Sequence, residues 1–228
     1  MKLEAGRITL AYAHPFGLSR WTSTETSTVL VKIHEDGLDG WGEGCPNRRY
    51  GEDWQQVLDF VSRMADLVSA FPKNPQDTIR ALAETAGPAS GRAALDMAMH
   101  DWLSKRRTMP LFDFLGFRAP ERRLTSFTIG IDEPESIVAK TREASEFQIL
   151  KVKVGTGRDE EILEAVRSVT DKPVRVDANE GWKDKNEALE RIEWLSRVGV
   201  ELVEQPMPAD RLDDVAWLRR RSPLPLFA

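Results

Sequence analysis

From about residue 124 onward the chain repeats one unit, a short run of strand formers followed by an amphipathic helical stretch. That repetition limits the fold more than any other feature. TSFTIGI (125–131), QILKVKVG (148–155), PVRVDAN (173–179) and VELVEQP (200–206) read as strands. PESIVAKTREAS (134–145), DEEILEAVRSVT (159–170), DKNEALERIEWLSRVG (184–199) and LDDVAWLRRRS (212–222) read as the helices between and after them, and LPLFA (224–228) begins a fifth strand. Four strand–helix units in succession predict a parallel sheet, either a closed barrel or a doubly wound sheet. A barrel of eight such units takes about 250 residues, so the four units make roughly half of one. The fourth strand would otherwise present a bare edge, and a truncated or partly represented chain is expected.

The first half has a different grammar. Residues 2–12, 27–34 and about 39–44 read as strands, with EDGLDG (35–40) as the turn of an antiparallel meander. DWQQVLDFVSRMADLV (53–68) reads as one helix with Val57, Phe60, Val61, Met64 and Leu67 on one face. SGRAALDMAMHDWLSKRR (90–107) reads as a second, opened by Ser90 as its cap, and MPLFDFLGF as a short third ended by Gly116. Strands first and helices after predict an α+β domain over 1–120, ahead of a barrel segment over 121–228, with RAPERR (118–123) as the boundary.

Strand parity supplies the chemistry. In LKVKVG (150–155), Leu150, Val152 and Val154 share a face suited to a core, which puts Lys151 and Lys153 together on the other. Arg175, Asp177 and Asn179 oppose Val174, Val176 and Ala178; Ser126, Thr128 and Gly130 oppose Phe127 and Ile129. In the fourth strand the alternation groups Glu204 with Val200 and Leu202. Each strand thus ends in polar groups just before its loop, where the mouth of a barrel gathers catalytic side chains. Asp177 and Glu204, from adjacent strands, are hard oxygen donors of the kind magnesium takes. A lysine in a partly dry pocket beside a cation loses affinity for its proton and can serve as a general base. Taken singly, each feature is better explained as a solvated strand face, a turn or a strand exit. Their coincidence at equivalent ends of three successive strands favours a site.

KVKVG, VDANEGW and VEQPMP, in this order and spacing, resemble the enolase superfamily in its muconate lactonizing subgroup. TSFTIGID, VEQPMPADRLDDVAWL and SPLPLFA are similar to the dipeptide epimerases of that subgroup, the L-Ala-D/L-Glu epimerases above all. RAALDMAMHDW with MPLFDFLG resembles the family's capping domain. The resemblance spans essentially the whole chain. It implies an α+β capping domain followed by a TIM-type (β/α) barrel, a magnesium cofactor, a dipeptide substrate, and epimerisation by proton transfer next to a carboxylate through a stabilised enolate. Residue by residue, it implies Lys153 as the acid/base on one substrate face and Lys151 as the partner of the substrate carboxylate. It also implies Asp177 and Glu204 as metal ligands, Thr128 as a substrate contact and Asn179 as the residue that orders the adjoining ligand. The third metal ligand and the opposite lysine are implied beyond Ala228, so that these 228 residues alone are expected to be inactive and to bind metal weakly. The loops 14–26 and 45–53 are expected to close over the mouth, with Arg20, Arg48 and Arg49 as candidates for gripping an acidic side chain. Ser23 stands where some Ala-Glu epimerases carry an arginine. Other members of the subgroup (muconate cycloisomerases, o-succinylbenzoate synthases, N-acylamino acid racemases) share the lysines and carboxylates. A silent half-barrel that assembles with a second chain is the alternative of another class.

The remaining features exclude other functions. A net charge of −5 gives no electrostatic reason to expect nucleic acid or an anionic membrane. The seven tryptophans lack basic clustering around them, and LRRRS (218–222) reads as arginines at a helix end. No apolar run is long enough to span a bilayer, and the N-terminus lacks the apolar core of a secretory signal. One cysteine, Cys45, precludes an internal disulfide and points to the cytoplasm; it reads as a small packing residue. His14, His34 and His100 have no ligand spacing. A homo-oligomer is a possible assembly.

Overall fold

The computed structural model describes residues 1–118, 121 and 123–228. Part of the expected boundary at 118–123 therefore lies outside the described residues. The chain forms two compact units: Met1–Ala11 with Glu25–Glu121, and Tyr12–Thr24 with Arg122–Ala228. The segment 12–24 thus packs with the second half of the chain although it lies in the first.

Strands β1 (Lys2–Gly17), β2 (Thr22–Glu35) and β3 (Leu38–Gly44) form a sheet in that order, and the first unit holds β1 as far as Ala11 and β2 from Glu25 onward. β2 and β3 are antiparallel, and Asp36 and Gly37, both at positive φ, close them as a type I′ turn. Val29, Val31 and Ile33 alternate into a core with Val57, Phe60 and Trp102. Helix α4 (Ala89–Arg106) lies directly on β3, where a side chain at Gly42 would meet the carbonyl of Ala94 at 1.9 Å.

Several local readings differ from the structure. The helix expected over 53–68 is broken at Met64 into α1 (Trp54–Arg63) and α2 (Ala65–Ala70), because Met64 leaves helical ψ and bonds back to Val61. A further helix, α3 (Pro75–Glu84), follows, with proline in the first turn as its sequence signal. Ser90 does not cap α4: it sits inside the helix, and the Glu52 carboxylate accepts the Ala89 N–H and the Ser90 hydroxyl. Cys45 is exposed rather than packed, because the chain leaves the sheet at Gly44. The short helix α5 (Leu111–Phe114) ends at Gly116, whose φ is 77°.

The second unit is a five-stranded parallel sheet with strands in sequence order. β4 (Ser126–Ile129), β5 (Ile149–Lys153), β6 (Val174–Asp177), β7 (Val200–Glu204) and β8 (Leu226–Phe227) alternate with α6 (Pro134–Glu143), α7 (Asp159–Arg167), α8 (Lys185–Arg197) and α9 (Leu212–Arg219). Leu150, Val152, Val174, Val176 and Val203 join Ile162, Val166, Ile192 and Leu218 in one apolar layer between sheet and helices. Each such side chain contributes about 1.5–3 kcal/mol by leaving water. Sequential parallel strands without reversal are half of a barrel rather than a doubly wound sheet.

One strand breaks the expected alternation. Val174 pairs with Val200 and Val176 with Val203, so that Arg175 alone faces both Glu201 and Leu202 across a β-bulge. Val200 is therefore buried with Val203 against the helices and does not share a face with Glu204. The extra residue brings Glu204 into register with Asp177.

The segment 12–24 is fastened to α6. The ammonium of Lys140, 6% exposed, donates to the Pro15 carbonyl at 3.1 Å and to Asp132 Oδ2 at 2.7 Å. Burial works to raise the Asp132 carboxyl, but the Lys140 ammonium and the Glu133 N–H outweigh it and hold it below its ordinary range. This stabilisation is complete above the unfolded-state pKa of about 4 and is lost as pH falls through the lower folded value. The difference in urea-unfolding free energy between wild type and Asp132→Asn is accordingly expected to shrink toward acid. A second expectation concerns Gly155, whose φ is 96° and whose added Cβ would lie 2.1 Å from the Ala178 carbonyl oxygen. Gly155→Ala should cost roughly 2–3 kcal/mol in the same measurement, from left-handed strain plus overpacking.

Candidate active site

Parallel pairing builds the site row by row. Thr128, Lys151 and Arg175 stand in register across β4, β5 and β6. One step nearer the strands' C-terminal ends, Lys153, Asp177, Glu204 and Phe227 form the next row across β5 to β8. Alternation sends these side chains to the face opposite the helix-covered core, as the valine burial shows.

Asp177 is the centre. Its Oδ2 accepts from Lys153 Nζ at 2.6 Å and lies 3.2 Å from Lys151 Nζ; Lys151 Nζ is also 2.6 Å from Glu204 Oε2. Asp177 Oδ1 accepts the backbone N–H of Asn179 at 2.8 Å. The side chains of Asp177 and Lys153 are 2% and 9% exposed, those of Lys151 and Glu204 partly open.

The two amines differ electrostatically. Burial lowers the proton affinity of Lys153, and the charge of Lys151 adds to this, together outweighing the pull of Asp177. For Lys151 burial is the largest single influence, yet hydrogen bonding to Glu204 and the charge of Asp177 more than offset it, so its pKa is raised. Burial also disfavours ionised Asp177, but the lysines and the Asn179 N–H hold it below the ordinary carboxylate range. The same cluster thus lowers the proton affinity of Lys153 and raises that of Lys151.

The loops behind these strands are held in uncommon conformations. Asn179, Glu180 and Gln205 all have positive φ, from 45° to 66°, immediately after Asp177 and Glu204. The Glu180 N–H donates to the Gln205 carbonyl, and Asn179 Nδ2 donates to Gln205 Oε1 at 3.2 Å. Asn179 therefore meets Asp177 through its backbone and Gln205 through its amide. The Ser19 hydroxyl and Arg20 Nη1 both donate to the Asn179 carbonyl, at 3.0 and 2.7 Å. Among the described residues, Arg20 Nε and Asn179 Oδ1 are buried polar atoms without a hydrogen-bond partner. Arg48 belongs to the first unit, in the 3-10 turn Arg48–Tyr50. Sequence reading missed Ser19, Gln205 and Asp159, which looked like ordinary loop and helix-start residues.

A hard divalent cation suits the donor chemistry of Asp177 and Glu204, two carboxylates at paired register positions. They would offer a cation two oxygen ligands; among the described residues no group of three or more His, Cys, Asp or Glu is gathered for a metal. Among the described residues, too, no helix is long and apolar enough to cross a membrane.

Residues 5–116 match the family described as "Mandelate racemase / muconate lactonizing enzyme, N-terminal domain", and residues 136–228 match "Enolase C-terminal domain-like". An L-Ala-D/L-Glu epimerase of Bacteroides thetaiotaomicron is 39% identical over 231 residues, covering all of this chain and 60% of the relative. A hydrophobic dipeptide epimerase of a Flavobacteria bacterium is 33% identical, covering all of this chain and 67% of the relative. An enolase family member of Agrobacterium tumefaciens, with homology to dipeptide epimerases and with bound sodium and L-Ala-L-Glu, has a TM-score of 0.82 at 30% identity. It covers 96% of this chain and 72% of that one. A dipeptide epimerase of Enterococcus faecalis complexed with magnesium and L-Leu-L-Tyr gives a TM-score of 0.86 at 26% identity, covering 98% of this chain and 66% of that one. The chain thus spans about 60–67% of the length of the curated relatives named here.

The ion-pair cluster makes a stability prediction of its own. Asp177→Ala leaves two amines facing one another and should cost roughly 3 kcal/mol. Adding Lys153→Met removes the stranded amine, and the double variant is expected to recover part of that loss in a urea-unfolding double-mutant cycle.

Proposed function

Because the chain belongs to the enolase superfamily, in its mandelate racemase and muconate lactonizing branch, we propose that it carries the catalytic row of a magnesium-dependent dipeptide epimerase. Such an isomerase moves a proton at the carbon next to a carboxylate. The observation that carries this reading is the convergence of Lys151, Lys153, Asp177 and Glu204 in adjacent rows, with nitrogen–oxygen separations of 2.6–3.2 Å. The relatives' dipeptide chemistry supports the choice of substrate class.

Asp177 and Glu204 would hold the metal, and magnesium, when bound, supplies positive charge beside the substrate carboxylate. Lys153, the more deeply buried amine, serves one face of the substrate, taking the α-proton of one epimer or, in the reverse direction, delivering a proton to that face. The opposite face is served by the second acid/base that epimerisation requires. Lys151 keeps its proton and pairs with the substrate carboxylate, adding charge where negative charge develops. Thr128, in register with Lys151, contacts the substrate from the neighbouring strand. Asn179 fixes Asp177 through its N–H. Arg20, which donates to the Asn179 carbonyl through Nη1, is assigned to the acidic end of the dipeptide.

The test is exchange of the α-proton of L-Ala-L-Glu and L-Ala-D-Glu in D2O with magnesium, followed by proton NMR. Lys153→Ala should slow exchange for the epimer whose proton it faces at least a hundredfold. Asp177→Asn should weaken magnesium binding in calorimetry by tenfold or more. Undiminished exchange in Lys153→Ala would sink the assignment.

A further inference from the structure

Asp159 opens α7 and, at 2% exposure, is among the most buried carboxylates of the chain. A helix-start aspartate ordinarily serves its own helix from the surface. This one faces the other way. Its Oδ1 accepts the N–H groups of Gly155 at 3.0 Å and Thr156 at 2.8 Å, with the Thr156 hydroxyl at 3.3 Å. Its Oδ2 accepts Trp182 Nε1 at 2.9 Å and Arg191 Nη1 at 3.0 Å. One oxygen therefore grips the loop that leaves Lys153, and the other grips the loop that leaves Asp177.

Between those loops there is no slack. Val154 donates to the Asp177 carbonyl, and a side chain at Gly155 would run into the Ala178 carbonyl. A side chain at Gly181 would run into the Gly155 carbonyl oxygen at 2.2 Å. The two backbones touch, and Trp182, 3% exposed, closes the second loop back onto Asp159.

We propose that Asp159 is a positioning residue that holds the loop after Lys153 and the loop after Asp177 as one body, and so sets the spacing of base and metal ligand. The second half of that statement rests on the function proposed above; the coupling of the loops does not. A carboxylate is required because both oxygens must accept at once. An asparagine of the same size can serve only one loop, its NH2 being turned against the donors of the other.

Asp159→Asn and Trp182→Phe in the full chain test this, with hydrogen exchange read by mass spectrometry and magnesium affinity by calorimetry. Asp159→Asn is expected to speed exchange about tenfold or more in both 153–158 and 177–183, leaving α1 and α4 unchanged. Trp182→Phe should loosen 177–183 alone, and the double variant should exchange no faster there than Asp159→Asn. Magnesium affinity should fall tenfold or more in Asp159→Asn, within the range for residues that orient ligands from behind. Loosening confined to 153–158, or spread evenly over the chain, overturns the proposal. If wild type itself binds no magnesium, the function fails while the exchange pattern still decides the coupling. Coupled loops with unchanged magnesium affinity refute the positioning role alone.

Discussion

Parallel strand pairing is the constraint on which everything else rests. It places the last residues of neighbouring strands side by side, so that Lys153, Asp177 and Glu204 become neighbours without any contact in sequence. Side-chain alternation then sends one set of residues to the helices and the other to the opposite face. Core and chemistry are written on the same four or five residues of each strand from β4 to β7. A change that slips one strand by a residue moves both together.

The charged row is stable because it is shared. A lone buried lysine would give up its proton, and a lone buried aspartate would take one. Asp177 instead lies against two amines and a backbone N–H, and the burden of burial falls on Lys153. The same cluster that keeps the strand ends together thus sets the two lysines apart chemically. Structure and reactivity draw on one set of contacts.

Much of this was readable in advance, and the exceptions have identifiable causes. The alternation in LKVKVG and PVRVDAN needs only period two, and those strands keep it. In VELVEQP the bulge adds a residue that no local propensity announces, so Val200 is assigned to the wrong face. Ser90 has the composition of a cap, but Glu52, 38 residues away in sequence, reaches the helix end first. Asp159 has the position of a routine helix-start residue; only the packing of Trp182 and Arg191 around it reveals two-sided bonding. Local chemistry was legible. What escaped was chemistry delivered from a distance.

The irregularity in β7 separates two demands that a regular strand would lock together. Valines at 200 and 203 both fill the apolar layer, three positions apart, while Glu204 still arrives beside Asp177. The extra residue acts as a phase shifter: the hydrophobic seam is satisfied on each side of it, and the mouth is indexed independently. Lineages built on this scaffold can therefore revise which side chain reaches the rim of a strand by gaining or losing one residue there, and leave the packed interior untouched.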